Sequence, residues 1–336
     1  NSTANELVVN GKVQVTGTAS AISGNGSSGL SAANITINDG ATVSATTDAG
    51  IYFPSAGTLT VGVQNHTDDH ACPTISGPTG IEMRAGTLNL YCGNITATGE
   101  FSANANGNGT TTTGVAVAIS QHSTNLPITA NIAGGTLSTS GNSGYGIYEK
   151  DLQNPSTGEA VAINVSGGKI SGKTAAVDIK DASSSSVTST VTGGLFSDDS
   201  ATTKSALPAD KILVADTDNS GFYKLVAASV QVLDASGNAI AGYGTLAAAV
   251  EAAQSGQTVK LLDNVVLTAT INIDKNLTID LNGKNIAATD ARALWVKSGD
   301  VSITGTGTIS ANKGANVASF ADSSSVIRVG DTAASA

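Results

Sequence analysis

Charge is scarce in this chain. Asp, Glu, Lys and Arg together make up 12% of its 336 residues, about half the share usual for a globular domain. Aromatic residues are 4%, with a single tryptophan, and there are two cysteines. Each shortage excludes something. With 16 basic against 26 acidic side chains and no stretch gathering Lys or Arg, the chain offers nothing that neutralises phosphates, so nucleic acid and anionic membranes are poor partners. The longest apolar runs, such as Leu246 to Ala253, fall well short of the roughly 20 residues a membrane span needs. No signal peptide opens the sequence, and a start at Asn1 suggests a mature or excised fragment.

What is present is apolar material at 40%, with 39 glycines and an abundance of Ser, Thr, Ala and Asn. That much apolar content is enough to bury a continuous core behind a hydroxyl and amide surface, so the chain is not a disordered one. Eight Asn-x-Ser/Thr sequons, at Asn1, Asn25, Asn34, Asn65, Asn94, Asn108, Asn164 and Asn276, read as glycosylation sites in a secreted protein. A chain this rich in Asn, Ser and Thr also makes them by composition alone. Cys72 and Cys92 permit one disulfide and leave no orphan thiol, which suits an exported protein.

Short alternating segments dominate: Ile35-Thr36-Ile37, Leu59-Thr60-Val61, Leu88-Asn89-Leu90, Ile163-Asn164-Val165, Ile271-Asn272-Ile273 and Val301-Ser302-Ile303. They read as strands with one buried face. Gly-Gly, Asn-Gly and Ser-Gly pairs between them read as turns. A longer rhythm lies over this one. Val15, Ile37 and Leu59 are spaced by 22, Ile279, Ile303 and Ile327 by 24, and Ile271, Leu294 and Val317 by 23. Gly50-Ile51, Gly80-Ile81, Gly114-Val115, Gly146-Ile147 and Ala176-Val177 recur at 30 to 34. Self-similarity in this range marks a solenoid. Coils of three short strands and three turns predict an all-β, right-handed parallel β-helix whose inward side chains stack in columns. At ~4.8 Å per coil, about 13 or 14 coils would make a rod of about 65 Å. Insertions in the middle of the chain would be loops thrown from one side of it. The two cysteines, 20 residues apart, would then sit on adjacent coils at a distance a disulfide accepts.

The rhythm fails from Ser205 to about Ala241, where Ala206 to Asp210 reads as a turn and Tyr223 to Leu233 as two strands outside the solenoid. One helix follows. Thr245 to Gln254 carries Leu246, Ala249, Val250 and Ala253 at helical spacing and stops at Gly256, a suitable helix end. The layout expected is a first β-helix over 1–204, a connector over 205–242, and a second β-helix over 243–336 that is still running where the sequence stops. Tyr243 to Ile286, YGTLAAAVEAAQSGQTVKLLDNVVLTATINIDKNLTIDLNGKNI, resembles the start of a pectate-lyase-like β-helix, in which an amphipathic helix plugs the end of the solenoid and protects an unpaired strand edge. Similar units, with strand ends like Gly134-Gly135-Thr136-Leu137 and Gly193-Gly194-Leu195-Phe196, occur in large repetitive bacterial surface proteins and adhesins. The resemblance spans most of the chain as a fold pattern and about 45 residues as a motif.

Enzymes of that fold use an Arg base with acidic Ca²⁺ ligands, or paired Asp residues as acid and base. This chain has only Arg84, Arg292 and Arg328, and its Asp68-Asp69 and Asp198-Asp199 pairs fall in polar loops; no catalytic motif carries over. The densest set of ligand-type side chains is His66, Asp68, Asp69 and His70, a candidate divalent-cation loop, although His66 and His70 would face one ion together only on a helical turn. Tyr52, Tyr145, Tyr148 and Trp295 are the candidate contact residues, Trp295 because an outward indole between inward Leu294 and Val296 can stack on a sugar or a partner. The Thr110 to Thr113 run is similar to the Thr ladders of ice-binding solenoids, but the flat Thr-x-Thr rows those need at every coil are not kept in the sequence.

The expectation is therefore a non-enzymatic, extracellular bacterial cell-surface protein, structural and adhesive, binding a glycan or host protein along its rod. A polysaccharide lyase or glycoside hydrolase, with its groove near Tyr145 to Lys150 and His66 to Cys72, is the first alternative; acidic side chains converging from consecutive coils would favour it. A self-assembling fibre, with end-to-end association through an apolar, uncapped Leu7 to Val15 end, is the second.

Overall fold

Alternation of apolar and hydroxyl residues leaves a chain one way to bury its apolar half, which is to lay strands side by side with the same face inward. The computed structural model describes residues 5–24, 32–64, 71–106, 109–121, 123–151, 160–181, 186–312 and 325–330. Among the described residues the protein is all-β apart from two short helices, α1 (Ala201–Ser205) and α2 (Leu246–Ala252). It forms two compact units, one made of 1–207 with 213–225, the other of 208–212 with 226–336.

In the first unit the chain visits three sheets in turn. The first sheet takes Asn5–Val9, Ala33–Ile37, Gly57–Val61, Gly86–Leu90, Ile128–Ile132, Val161–Val165 and Val187–Val191 as seven neighbouring strands. The second takes Gln14–Gly17, Thr42–Ala45, Thr74–Gly77, Asn94–Ala97, Thr136–Thr139, Lys169–Ile170 and Leu195–Phe196. The third takes Ile22–Ser23, Ala49–Phe53, Thr79–Met83, Val115–Ile119, Tyr145–Glu149 and Ala175–Ile179. All of these neighbours pair in parallel, an arrangement consistent with a solenoid. Inward residues form columns, among them Ile37, Val61, Leu90, Ile132, Val165 and Val191 in mutual register, all buried. After Leu195–Phe196, Tyr223 and Lys224 add an antiparallel strand, and α1 packs at Ala175–Ile179. There the Asp198 carboxylate caps the Ala176 N–H at 2.6 Å and accepts the Thr203 hydroxyl at 2.9 Å.

The second unit repeats the pattern over three coils. Gln257–Leu261, Leu277–Asp280 and Val301–Thr304 share one sheet, Val265–Leu267, Ile286–Thr289 and Ile309–Asn312 a second, and Ile271–Ile273, Leu294–Val296 and Ile327–Val329 a third. Val230–Leu233 pairs antiparallel with Gln257–Leu261 and with Ala239–Tyr243. Helix α2 is N-capped by Thr245, whose hydroxyl accepts the Ala248 N–H at 3.2 Å, and it buries Leu246, Ala249 and Val250 in the unit's core. The Lys275 ammonium donates to the carbonyls of Val250, Glu251 and Ala253, the charge a helix C-terminus favours.

The register corrects several columns read from spacing. Ile279 lies over Ile303, but Ile327 lies over Leu294 in another sheet, where it continues the Ile271–Leu294 column; Val317 falls outside the described residues. Val15 pairs with Val43, Ile37 with Val61, and Leu59 with Ile35. Val117, not Val115, stands between Ile81 and Ile147. The cause is a variable coil length: register partners in the first sheet lie between 24 and 42 residues apart. Equal sequence intervals therefore connect different faces. Longer coils also mean fewer of them among the described residues, seven strands in the first unit's first sheet and three parallel ones in the second unit's, against the 13 or 14 coils expected.

Cys72 and Cys92 form a disulfide with a Cα separation of 5.6 Å. Two outcomes are expected. Replacing both cysteines by serine lowers stability by about 3 kcal/mol, since the bond closes a loop of about 20 residues, measured by urea denaturation. Gly144→Ala is strongly destabilising in a thermal melt. Gly144 has φ +135° and its Cβ would run into the Gly114 carbonyl, a clash of backbone on backbone in a region that L side chains avoid.

Candidate functional site

The outer faces of the first unit's sheets differ in chemistry. On the first sheet, Asn34, Thr58, Thr87 and Thr129 stand in one row, and Thr36, Thr60, Asn89, Asn131, Asn164 and Thr190 in the next. The Asn131 amide donates to Asn89 and the Asn164 amide to Asn131, both at 2.9 Å. On the second sheet the rows are Thr42, Thr74, Asn94 and Thr136, and Ser44, Ser76, Thr96 and Ser138. Short rows of Thr, Ser and Asn thus run over successive coils, broken at Ala162 in the first sheet and at Lys169 and Leu195 in the second, and Thr-x-Thr is not kept at every coil. Thr110 to Thr113 are not part of them. They belong to the second arm of a hairpin, Ser102–Asn106 with Gly109–Thr113, inserted between the second and third sheets.

Ionisable groups concentrate on the outer face of the third sheet, where Tyr52, Glu82, Ala118, Tyr148 and Asp178 form one row. Arg84 and Glu82 are both buried. The guanidinium donates to Glu82 Oε1 at 2.9 Å and to the hairpin's Thr110 carbonyl, and it lies 5.7 Å from the Tyr52 ring. The Thr79 hydroxyl donates to the Thr112 carbonyl. At the hairpin's base, the Glu100 carboxylate accepts the backbone and side-chain N–H of Asn142 and the backbone N–H and hydroxyl of Ser143. Those donors hold its pKa below the ordinary value. Phe101 packs edge-on against Tyr145 at 4.7 Å and Tyr148 at 5.0 Å.

Beyond the tyrosines lies a set of acids and lysines from adjacent coils. Lys180 pairs with Asp178 at 2.6 Å and Lys150 with Asp181 at 2.5 Å. The other Asp181 oxygen accepts the Asp151 N–H at 2.9 Å, and the Asp181 N–H donates to Glu149 Oε2 at 3.0 Å. Glu149 occupies the strand-end position in register with Ile119 and Ile179 and is buried. Desolvation pushes its carboxyl up to about 7. Burial likewise raises Glu82 to about 7 against the opposing pull of Arg84, and raises Tyr148 to about 12, helped by Asp178.

Of the contact candidates, Tyr145 and Tyr148 come together, but beneath Phe101, and are 8% and 6% exposed. Tyr52 lies in the same outer row, four coils from Asp178. Trp295, in the second unit, points out between Asn272 and Arg328. Its indole N–H donates to the Gly330 carbonyl at 2.8 Å, and its ring is approached by Lys297 at 4.8 Å and Arg328 at 4.7 Å. His66, Asp68, Asp69 and His70 lie outside the described residues. Among the described residues no group of three His, Cys, Asp or Glu is placed to hold a metal ion, and no helix is long and apolar enough to cross a membrane. Asp198 of the Asp198-Asp199 pair serves as a cap, while Asp199 pairs with Lys204 at 3.1 Å. The sequence reading missed Glu82, Phe101, Asp178 and Lys180, named Arg84 only as one of three arginines without a catalytic partner, and reached Glu149 only as part of the Tyr145 to Lys150 groove. The one signal for Glu82 was its place beside Arg84, as a Glu-x-Arg pair at the end of the strand Thr79–Met83.

No protein-family model matches this chain, and no curated protein or solved structure matches it.

The buried acids set a pH dependence. A carboxyl whose folded pKa is raised holds a proton that the unfolded chain has already released, so stability is lost as pH climbs from about 4.5 through about 7. The melting midpoint is expected to be about 2 to 6 °C lower at pH 8 than at pH 5, by calorimetry at fixed ionic strength. Glu149→Gln should flatten part of that slope; an unchanged slope would show that Glu149 is solvated.

Proposed function

We propose that this chain is a structural and adhesive segment of an extracellular bacterial cell-surface protein, built from two right-handed parallel β-helical units of the pectate-lyase-like kind. The handedness follows the rule that parallel crossovers in one sheet are right-handed. The observation that carries the functional reading is the pair of outer faces bearing in-register Thr, Ser and Asn rows over successive coils. Backed by close-packed apolar columns, such faces are stiff, nearly uncharged and rich in hydrogen-bond donors and acceptors. They suit a neutral glycan or glycosylated host protein spread along several coils, with many weak contacts acting together.

A glycan and mucin array probed with the protein is the direct test. Retention on neutral glycans is expected, reduced at least about tenfold by the double substitution Thr87→Lys and Thr129→Lys, which places two ammonium groups in one row without touching the core. Turnover of any polysaccharide, lost in Glu149→Gln, would overturn this reading in favour of a lyase or hydrolase, since Glu149 and Asp181 are brought together from neighbouring coils.

One observation favours end-to-end association as a second reading. Leu7 is in register with the core residues Ile35 and Leu59 yet is 43% exposed, as is Val8. A strand edge with such residues invites another strand. Concentration-dependent growth in sedimentation velocity, abolished by Leu7→Lys, is the expected signature; a single concentration-independent species would discard it.

A further inference from the structure

The third sheet places an amine, a carboxyl and a buried acid at one point, where two neighbouring coils meet. Lys150 follows the strand Tyr145–Glu149 and Asp181 follows the parallel neighbour Ala175–Ile179. The Lys150 nitrogen stands 2.5 Å from Asp181 Oδ1, and the two side chains are only 27% and 12% exposed. The carboxyl does not swing freely, because Oδ2 accepts the Asp151 N–H and the Asp181 backbone N–H is held by Glu149. The amine nitrogen and the carboxyl thus start in direct contact, with the carboxyl held by a further hydrogen bond.

We propose that the protein forms a covalent amide between the Lys150 side-chain nitrogen and the Asp181 side-chain carboxyl, cross-linking two adjacent coils. The inference does not depend on the adhesive reading. The chemistry balances without any co-reactant. A proton passes from the ammonium to the carboxylate, giving an amine and a carboxylic acid. The amine lone pair attacks Cγ, and the C–N bond forms as the C=O π bond opens. The tetrahedral centre then collapses with loss of a hydroxyl and a proton as water. Glu149 is the neighbouring acid that positions Asp181 and relays the proton to the departing oxygen, and burial keeps that carboxyl protonated up to about pH 7. The pair Lys180 and Asp178 is a built-in control. It is nearly as short, at 2.6 Å, but its two residues lie two apart on the chain and its lysine is 45% exposed, so no bond is expected there.

Intact-mass spectrometry of the folded wild-type protein decides the matter. The mass should be one water below that of the sequence, beyond the two hydrogens lost in the disulfide. Proteolysis should give one branched peptide joining Lys150 to Asp181. Lys150→Met and Asp181→Ala should each restore the lost water. Glu149→Gln, which keeps an acceptor for the Asp181 N–H, should fold with unchanged circular dichroism but form the bond on the order of a hundredfold more slowly. A wild-type mass equal to the sequence mass, or a missing water that maps elsewhere or persists in Lys150→Met, overturns the proposal. Glu149→Gln forming the bond at the wild-type rate would remove Glu149 from the mechanism. Should a variant fail to fold, the wild-type mass and the branched peptide still settle the outcome.

Discussion

Parallel pairing of each strand with the strand one circuit later is the constraint on which the first unit rests. A single coil of this chain has apolar residues on its inner side and open backbone donors and acceptors on both edges, so it is stable only between neighbours. Stacking satisfies the edges with ladder hydrogen bonds and places like over like in the interior, as in the column from Ile37 to Val191. Where the stack must end, other elements substitute for a coil: α1 with Asp198 after the first unit's last strands, and α2 with an antiparallel strand pair in the second unit.

Because the interior is so uniform, variety is confined to the outside and to the corners. The first two sheets carry neutral hydrogen-bonding rows. The third carries the ion pairs and tyrosines, and the inserted hairpin shields much of that face from water. Burial is what makes Glu82, beside that hairpin, and Glu149, at an inward-facing strand end, unusual acids, since a carboxylate removed from water loses hydration that one nearby cation only partly replaces. Arg84 is fixed from two sides, its guanidinium donating to the hairpin's Thr110 carbonyl and to the Glu82 carboxylate on its own coil.

Strand content, the parallel stack, the disulfide and α2 were legible in the sequence, each for a local reason. Alternation, the Cys72 to Cys92 interval, and the helical spacing of Leu246, Ala249, Val250 and Ala253 before Gly256 are short-range patterns that later packing does not alter. Column membership was less legible. Ile303 and Ile327 share a residue type and a plausible interval, yet the chain between them runs to a different sheet. Only the lengths of the intervening turns decide that. The site was the least legible part. Lys150 with Asp181, and Phe101 with Tyr145 and Tyr148, are brought together by coil stacking and by a hairpin fold, neither of which leaves a mark in local sequence. Glu149 was hidden for another reason: an acid at an inward-facing strand end breaks the pattern that marks interior positions.

The Cys72–Cys92 bond spans one complete circuit, from Thr74–Gly77 through Thr79–Met83 to Gly86–Leu90. That turn of the chain is a closed covalent ring. Tension applied at the two chain ends passes across the sulfur bridge rather than through those strands, so the ring cannot be pulled out straight. It acts as a knot-like stop between the coils before it and the coils after it.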